Sequence, residues 1–171
     1  MKPALFLLSF LVFISGCSKR STVAPPIAEE IQFGLVRGWD PWIIIFLSRH
    51  PNGKITCQVS SSANQPAPKD AQRQWTVLKE FNLPNEDFER LSSALLDPEL
   101  SAAAAHVENG METDGSVWTF RSKSGRRTID YKFYNPEIDP TDKGSILAMR
   151  LGRDFAHVAG MDTLFSPSKK P

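Results

Sequence analysis

The chain has 171 residues, with 20 Lys and Arg against 19 Asp and Glu and a net charge of +1. That length suffices for one domain with a sizeable core, and its 41% hydrophobic and 23% charged residues are those of an ordinary globular protein. The near-zero charge argues against a nucleic-acid binder, which would carry a basic excess.

The first stretch is an address rather than part of a fold. Lys2 supplies a positive start, and Ala4 to Ile14 is a mostly apolar run too short to span a bilayer as a helix. It closes on Ile14-Ser15-Gly16-Cys17. This resembles the lipobox of bacterial lipoproteins, in which small residues precede a cysteine, and the resemblance covers the N-terminus alone. It implies cleavage before Cys17 and a diacylglycerol thioether on its sulfur, usually with a third acyl chain on the new α-amine. An ordinary secretory signal or a short anchor helix is the alternative. Two or three acyl chains hold a protein on a membrane essentially permanently, whereas one binds marginally. The division that follows is a signal peptide over 1–16, a lipid-anchored flexible tether over 17–30, one α+β domain over 31–165 and a disordered tail over 166–171. In the sorting rule of enteric bacteria, aspartate after the cysteine retains a lipoprotein at the inner membrane. Ser18 is compatible with export to the outer membrane, facing the periplasm. Loss of residues 1–16 removes Lys2 and no acid, leaving 19 bases against 19 acids. Lys19-Arg20 then stands next to the lipid, where it can face anionic headgroups or simply be solvated.

With Cys17 used by lipid, Cys57 is alone and no intrachain disulfide forms. It lies in an alternating apolar strand, where a free cysteine acts as a small hydrophobe. No neighbour in sequence supplies the base that a nucleophile needs.

After the tether, which Pro25-Pro26 stiffens, Ile31 to Val36 reads as a short strand and Gly38-Trp39-Asp40-Pro41 as a turn or bulge. Trp42 to Leu47, W-I-I-I-F-L, is the most apolar run past the leader and reads as a strand buried on both faces. Pro51-Asn52-Gly53 follows. Pro51 suits a type I turn and Gly53 the left-handed position of a bulge. That three-residue loop pairs His50 with Lys54, Leu47 with Cys57 and Ile45 with Val59, and puts Ile43, Ile45, Leu47, Ile55, Cys57 and Val59 on one face. Ser60 to Asp70 is a solvent loop. Gln74 to Phe81 is a further strand with Trp75, Val77 and Phe81 on one side. Pro84 opens a helix with Glu86 and Asp87 in its first turn and an apolar stripe of Phe88, Leu91 and Leu95. Asp97-Pro98 ends or restarts it, and Glu99 to His106 is either a second short helix or a loose segment.

Ser116 to Pro136 is a second hairpin, and the sequence is organised around it. A two-residue Ser124-Gly125 loop pairs Lys123 with Arg126, Phe120 with Ile129 and Trp118 with Tyr131, leaving Arg121 diagonal to Asp130. Trp118, Phe120, Ile129, Tyr131 and Phe133 share one face. A three-residue loop would set Trp118 against Asp130 and turn side chains onto the wrong face. Asp139 then reads as the N-cap of a final helix, with Pro140 at N1 and Asp142 at N3. That helix runs to about Ala159, with Leu147, Leu151, Phe155 and Val158 on one face and Gly160 as its C′ residue. The sum is an α+β fold: an antiparallel sheet of two hairpins plus one or two further strands, with two helices on one face. The final helix should cover the hairpin's aromatic face. This outline, with Asp114-Gly115-x-x-Trp118 ahead of the last hairpin, is similar to small bacterial envelope lipoproteins of unknown function.

Chemistry is sparsely marked. His50, His106 and His157 have no zinc spacing and read as surface or boundary residues. Glu108, Glu112 and Asp114 sit in a turn-rich loop. Glu137, Asp139 and Asp142 are explained by helix capping, and neither cluster has calcium-loop spacing. No nucleophile elbow or phosphate-cradling glycine loop occurs. No cofactor or metal is expected. Trp42, Trp75 and Trp118 occupy apolar strand positions and read as core. Trp39, in its Gly-Trp-Asp-Pro turn, is the best candidate for an exposed binding surface. The expectation is a small lipid-anchored binding or scaffold domain of the cell envelope, with an envelope protein or peptidoglycan as partner and no nucleic acid. The alternative is an envelope hydrolase whose site no motif marks.

Overall fold

A computed structural model describes residues 28–37, 41–62, 74–105, 115–138 and 141–165. Cys17, Trp39, His106, Glu108, Glu112, Asp114 and Asp139, the leader, most of the tether and the expected tail lie outside the described residues.

Six strands form one antiparallel sheet: β1 (Glu29–Arg37), β2 (Trp42–Arg49), β3 (Ile55–Ser62), β4 (Thr76–Asn82), β5 (Ser116–Ser124) and β6 (Arg127–Tyr134). Their spatial order is β4-β3-β2-β1-β5-β6. The helices are α1 (Asn85–Leu95), α2 (Pro98–Ala105) and α3 (Lys143–Val158), with a 3-10 turn at Asp162–Phe165. The α+β class and antiparallel sheet are as expected. The expected two helices become three, because Asp97 restarts the chain at Pro98 by accepting the Glu99 N–H at 2.8 Å. β1 is the surprise: it lies between the hairpins, pairing β2 on one side and β5 on the other. It begins at Glu29, two residues before the expected Ile31. The Glu29 carboxylate accepts from Arg49 at 2.8 Å and from the Ser124 hydroxyl at 2.9 Å, which ties both neighbouring strands to its start.

The β2–β3 hairpin has the expected register. Leu47 faces Cys57 and Ile45 faces Val59, the His50 N–H donates to the Lys54 carbonyl at 2.8 Å, and Gly53 takes φ +79°. Only one face of β2 is fully buried, however. Ile45 and Leu47 enter the core, while Trp42, Ile44 and Phe46 on the other face stay half-buried, because the helices cover one side of the sheet.

The β5–β6 register is corrected by two residues. Trp118 opposes Phe133, Phe120 opposes Tyr131, and Arg121 opposes Asp130 directly, closing an ion pair at 2.6 Å. The loop is Gly125-Arg126, not Ser124-Gly125. Gly125 has φ +57°, which a hairpin turn with a left-handed first central residue requires. An even slip leaves every side chain on its expected face.

The α1 stripe is as expected, with Phe88, Leu91 and Leu95 buried. α3 begins later than expected: Asp142, not Asp139, is its N-cap, and its carboxylate accepts the Ser145 N–H at 2.7 Å. It ends as expected. Gly160 takes φ +60°, and the Met161 N–H donates to the Ala156 carbonyl at 2.7 Å, a glycine-capped C-terminus. Its core face is rotated toward small residues. Gly144, Ala148, Gly152 and Ala156, four apart, are buried with Leu151 and Phe155, while Leu147 and Val158 are only partly buried. Bare Gly152 lets the helix lie directly on the Trp118 ring, which a Cβ there would strike. All three helices share one core with Phe33, Trp118, Phe120 and Phe133. No helix among the described residues is long and apolar enough to cross a membrane.

Cys57 is fully buried in this core. Burial pushes its thiol up to about 11, against a smaller opposing pull from Lys79. An acid whose folded pKa is raised holds its proton in the native state after the unfolded chain has lost it. Stability should therefore fall as pH rises from about 9 toward about 11. Native-state alkylation should be slow at neutral pH and rise to that of a free thiol on unfolding. Cys57→Ser should cost about 1–3 kcal/mol by burying a hydroxyl, measured by denaturant melts. Rapid native labelling would contradict this placement.

Candidate functional site

The two edges of the sheet differ in kind. β6 is guarded by exposed Arg127, Asp130 and Lys132, the charges that natural edge strands use against pairing. β4 is not. Its pairing runs from Thr56–Asn82 through Val59–Lys79 and then slips, so that Ser60 faces Val77. Leu78 is the extra residue of a bulge. The slip puts Val77 and Phe81 on opposite faces of the sheet, although they are four apart. This corrects the expectation that Trp75, Val77 and Phe81 share a side. Phe81 is half-buried against the core, and Trp75, Val77 and Leu78 are 39%, 52% and 50% exposed. Trp75 is therefore not a core residue, unlike Trp118.

Lys79 fixes the strand beside this patch. Its Nζ donates to the Gly160 carbonyl at 2.7 Å, at the negative end of α3. Lys79-Glu80 blunt the second half of the edge, while residues 75–78, which include the bulged Leu78, keep three apolar side chains exposed. Such an edge is suited to taking an extended apolar segment, with main-chain hydrogen bonds for pairing and side-chain contact for specificity.

Other sequence candidates have structural roles. His50 is half-buried, with Nε2 at 3.1 Å from the Thr56 hydroxyl, and exposed His157 has Nδ1 at 2.8 Å from Asp162. Among the described residues no group of His, Cys, Asp or Glu is placed to hold a metal ion. Glu137 is not a helix cap. Its carboxylate accepts from the Trp118 indole N–H at 3.1 Å and from the Ser116 hydroxyl, with Arg37 at 3.6 Å. One cleft among the described residues, of about 130 Å³, lies between α1, α2 and α3, where Asp97, Arg150 and Asp154 meet Leu100, Leu147 and Leu151. That is well below the ~300–1,000 Å³ of ordinary ligand sites. Its acids are already engaged, Asp97 in capping α2 and Asp154 with Arg90 at 3.8 Å.

The β4 patch was not legible as a surface, since its alternation imitates a half-buried strand and the bulge leaves no residue signature. No protein-family model matches the chain, and no curated protein sequence matches it.

Proposed function

We propose that the chain is a lipid-anchored binding module of the bacterial cell envelope, held through Cys17 at the outer membrane and facing the periplasm. Its β4 edge docks an extended apolar segment of an envelope protein. The observation that carries the reading is the bare apolar group Trp75, Val77 and Leu78 on an edge strand whose counterpart β6 is charged. An apolar edge favours a protein segment over the polar glycan of peptidoglycan. Nothing among the described residues favours the hydrolase alternative.

The anchor and the edge are tested separately. In cells, Cys17→Ala should abolish incorporation of a labelled fatty acid and leave the protein unprocessed or mislocalised; unchanged labelling rules the anchor out. A photo-crosslinking residue at Val77 should give a discrete adduct that the same probe at Thr128 does not. Val77→Ser with Leu78→Ser should remove an adduct formed from a probe at Trp75, while the melt moves by no more than about 0.5 kcal/mol per exposed site. Equal crosslinking from both edges would refute the β4 assignment.

A further inference from the structure

The outer face of α3 carries a stripe unlike the rest of this nearly neutral chain. Lys143, Ile146, Arg150, Arg153 and His157 follow one another at spacings of three and four, so they project from one side of the helix, opposite buried Ala148, Leu151 and Phe155. All five are exposed, Ile146 at 46%. Lys143 and His157 are held by acids at 2.8 Å, Glu99 and Asp162. Arg150 and Arg153 make no ion pair or hydrogen bond among the described residues. The acid beside them, Asp154, is shared with Arg90 on α1. Half-buried Met149 joins Ile146, and the two line a shallow groove of about 300 Å³ with Arg150, Arg153 and Asp154.

We infer that this face of α3 rests on an anionic phospholipid surface. Two unpaired guanidinium groups complement phosphate headgroups. Ile146 and Met149 between them would gain nothing from a purely ionic partner, but a bilayer interface takes cations at its headgroups and aliphatic side chains just beneath. The inference rests on the proposed acylation of Cys17. Ten residues separate Cys17 from Ala28, where the described chain begins, so the tether spans at most about 40 Å. A domain of this size has a radius of gyration near ~14 Å, so the anchor confines it to the membrane surface, where a weak face suffices to choose its orientation. With α3 against the membrane, the helical layer lies below the sheet.

The test uses the full acylated protein in vesicles, with Ile146→Cys carrying an environment-sensitive NBD fluorophore and Thr128→Cys as the control site; buried Cys57 is the other thiol left to label. Flotation is read on the same samples. In vesicles of phosphatidylcholine with about one-third phosphatidylglycerol, NBD at position 146 should brighten about twofold over pure phosphatidylcholine. Position 128 should not change. The gain should vanish with Arg150→Glu and Arg153→Glu, and in about 0.5 M salt, where screening shortens to a few ångströms. Failure to float would overturn the anchor itself. Flotation with equal NBD signals at 146 and 128, or a gain at 146 that ignores lipid charge and salt, would overturn this orientation and leave the anchor standing.

Discussion

Replacing Trp118 by alanine is expected to lower stability by about 3–5 kcal/mol. The ring is 1% exposed. Phe165 stacks on it at 4.8 Å, Phe33 meets it edge-on at 5.5 Å, and Gly152 closes the remaining side. Truncation therefore opens a cavity walled by α3 and by rings that cannot collapse into it. It also removes the indole N–H that Glu137 accepts at 3.1 Å, leaving a partly buried carboxylate with one donor fewer. Phe155→Ala should cost a similar amount, since Phe155 packs on Phe33 at 5.8 Å and on Phe120 at 6.2 Å. No direct ring contact joins Trp118 to Phe155; Phe33 touches both. The double mutant should depart from additivity through that shared neighbour. Thr119 and Lys132 face the other side of the sheet. There the Thr119 hydroxyl makes one long bond, 3.4 Å, to the Gly34 carbonyl. Alanine at either should stay within about 1 kcal/mol. Denaturant melts of the four single mutants and the double mutant decide the matter. A large loss at Thr119 or Lys132 beside a small one at Trp118 would mean the faces are inverted.

Gly152→Ala is expected to destabilise by about 1–3 kcal/mol, against the usual rule for a helix interior. Alanine in place of glycine normally gains about 1 kcal/mol of helix propensity. Here the added methyl would lie against the Trp118 ring, 2.8 Å from its Cε3 and 3.3 Å from the Phe33 Cζ. Both rings are fully buried and held from behind, so relief requires α3 to lift from the sheet. Gly152→Leu should be worse. Shrinking the ring should rescue the methyl, so Trp118→Leu with Gly152→Ala should be more stable than the two single losses sum to. A melt in which Gly152→Ala alone stabilises the protein would show that the ring yields and that the contact does not set the height of α3.

Several of these features were legible from local chemistry alone. The β2–β3 hairpin was, because Pro51-Asn52-Gly53 admits one loop that keeps Leu47 and Cys57 on the same face, as they are found. The α1 stripe and the Gly160 terminus of α3 were legible for the same reason: a period of 3.6 and a left-handed glycine are properties of a short stretch. The faces of β5 and β6 were legible although their register was not. Ser124-Gly125-Arg126 holds one glycine, which can occupy either turn position, and both choices give the same alternation.

What required the tertiary structure was everything decided between distant segments. Nothing in Glu29–Arg37 says that it separates two hairpins; the sheet inserts it there because Phe33 can meet Phe120 on one side and Ile45 on the other. The bulge opposite Val59 and Ser60 turns Trp75 and Val77 out of the core, and it is a property of two strands together. The rotation of α3 onto Gly152 depends on Trp118 arriving from another element. The spacing Gly144-Ala148-Gly152-Ala156 stands in the sequence as a signal of close approach, but it names no partner. Short-range chemistry thus determined the apolar faces of β2, β3, β5, β6 and α1, the β2–β3 turn and the end of α3. Which apolar face would be covered and which left bare depended on long-range packing, because burial is a property of the neighbours a residue is given and not of the residue.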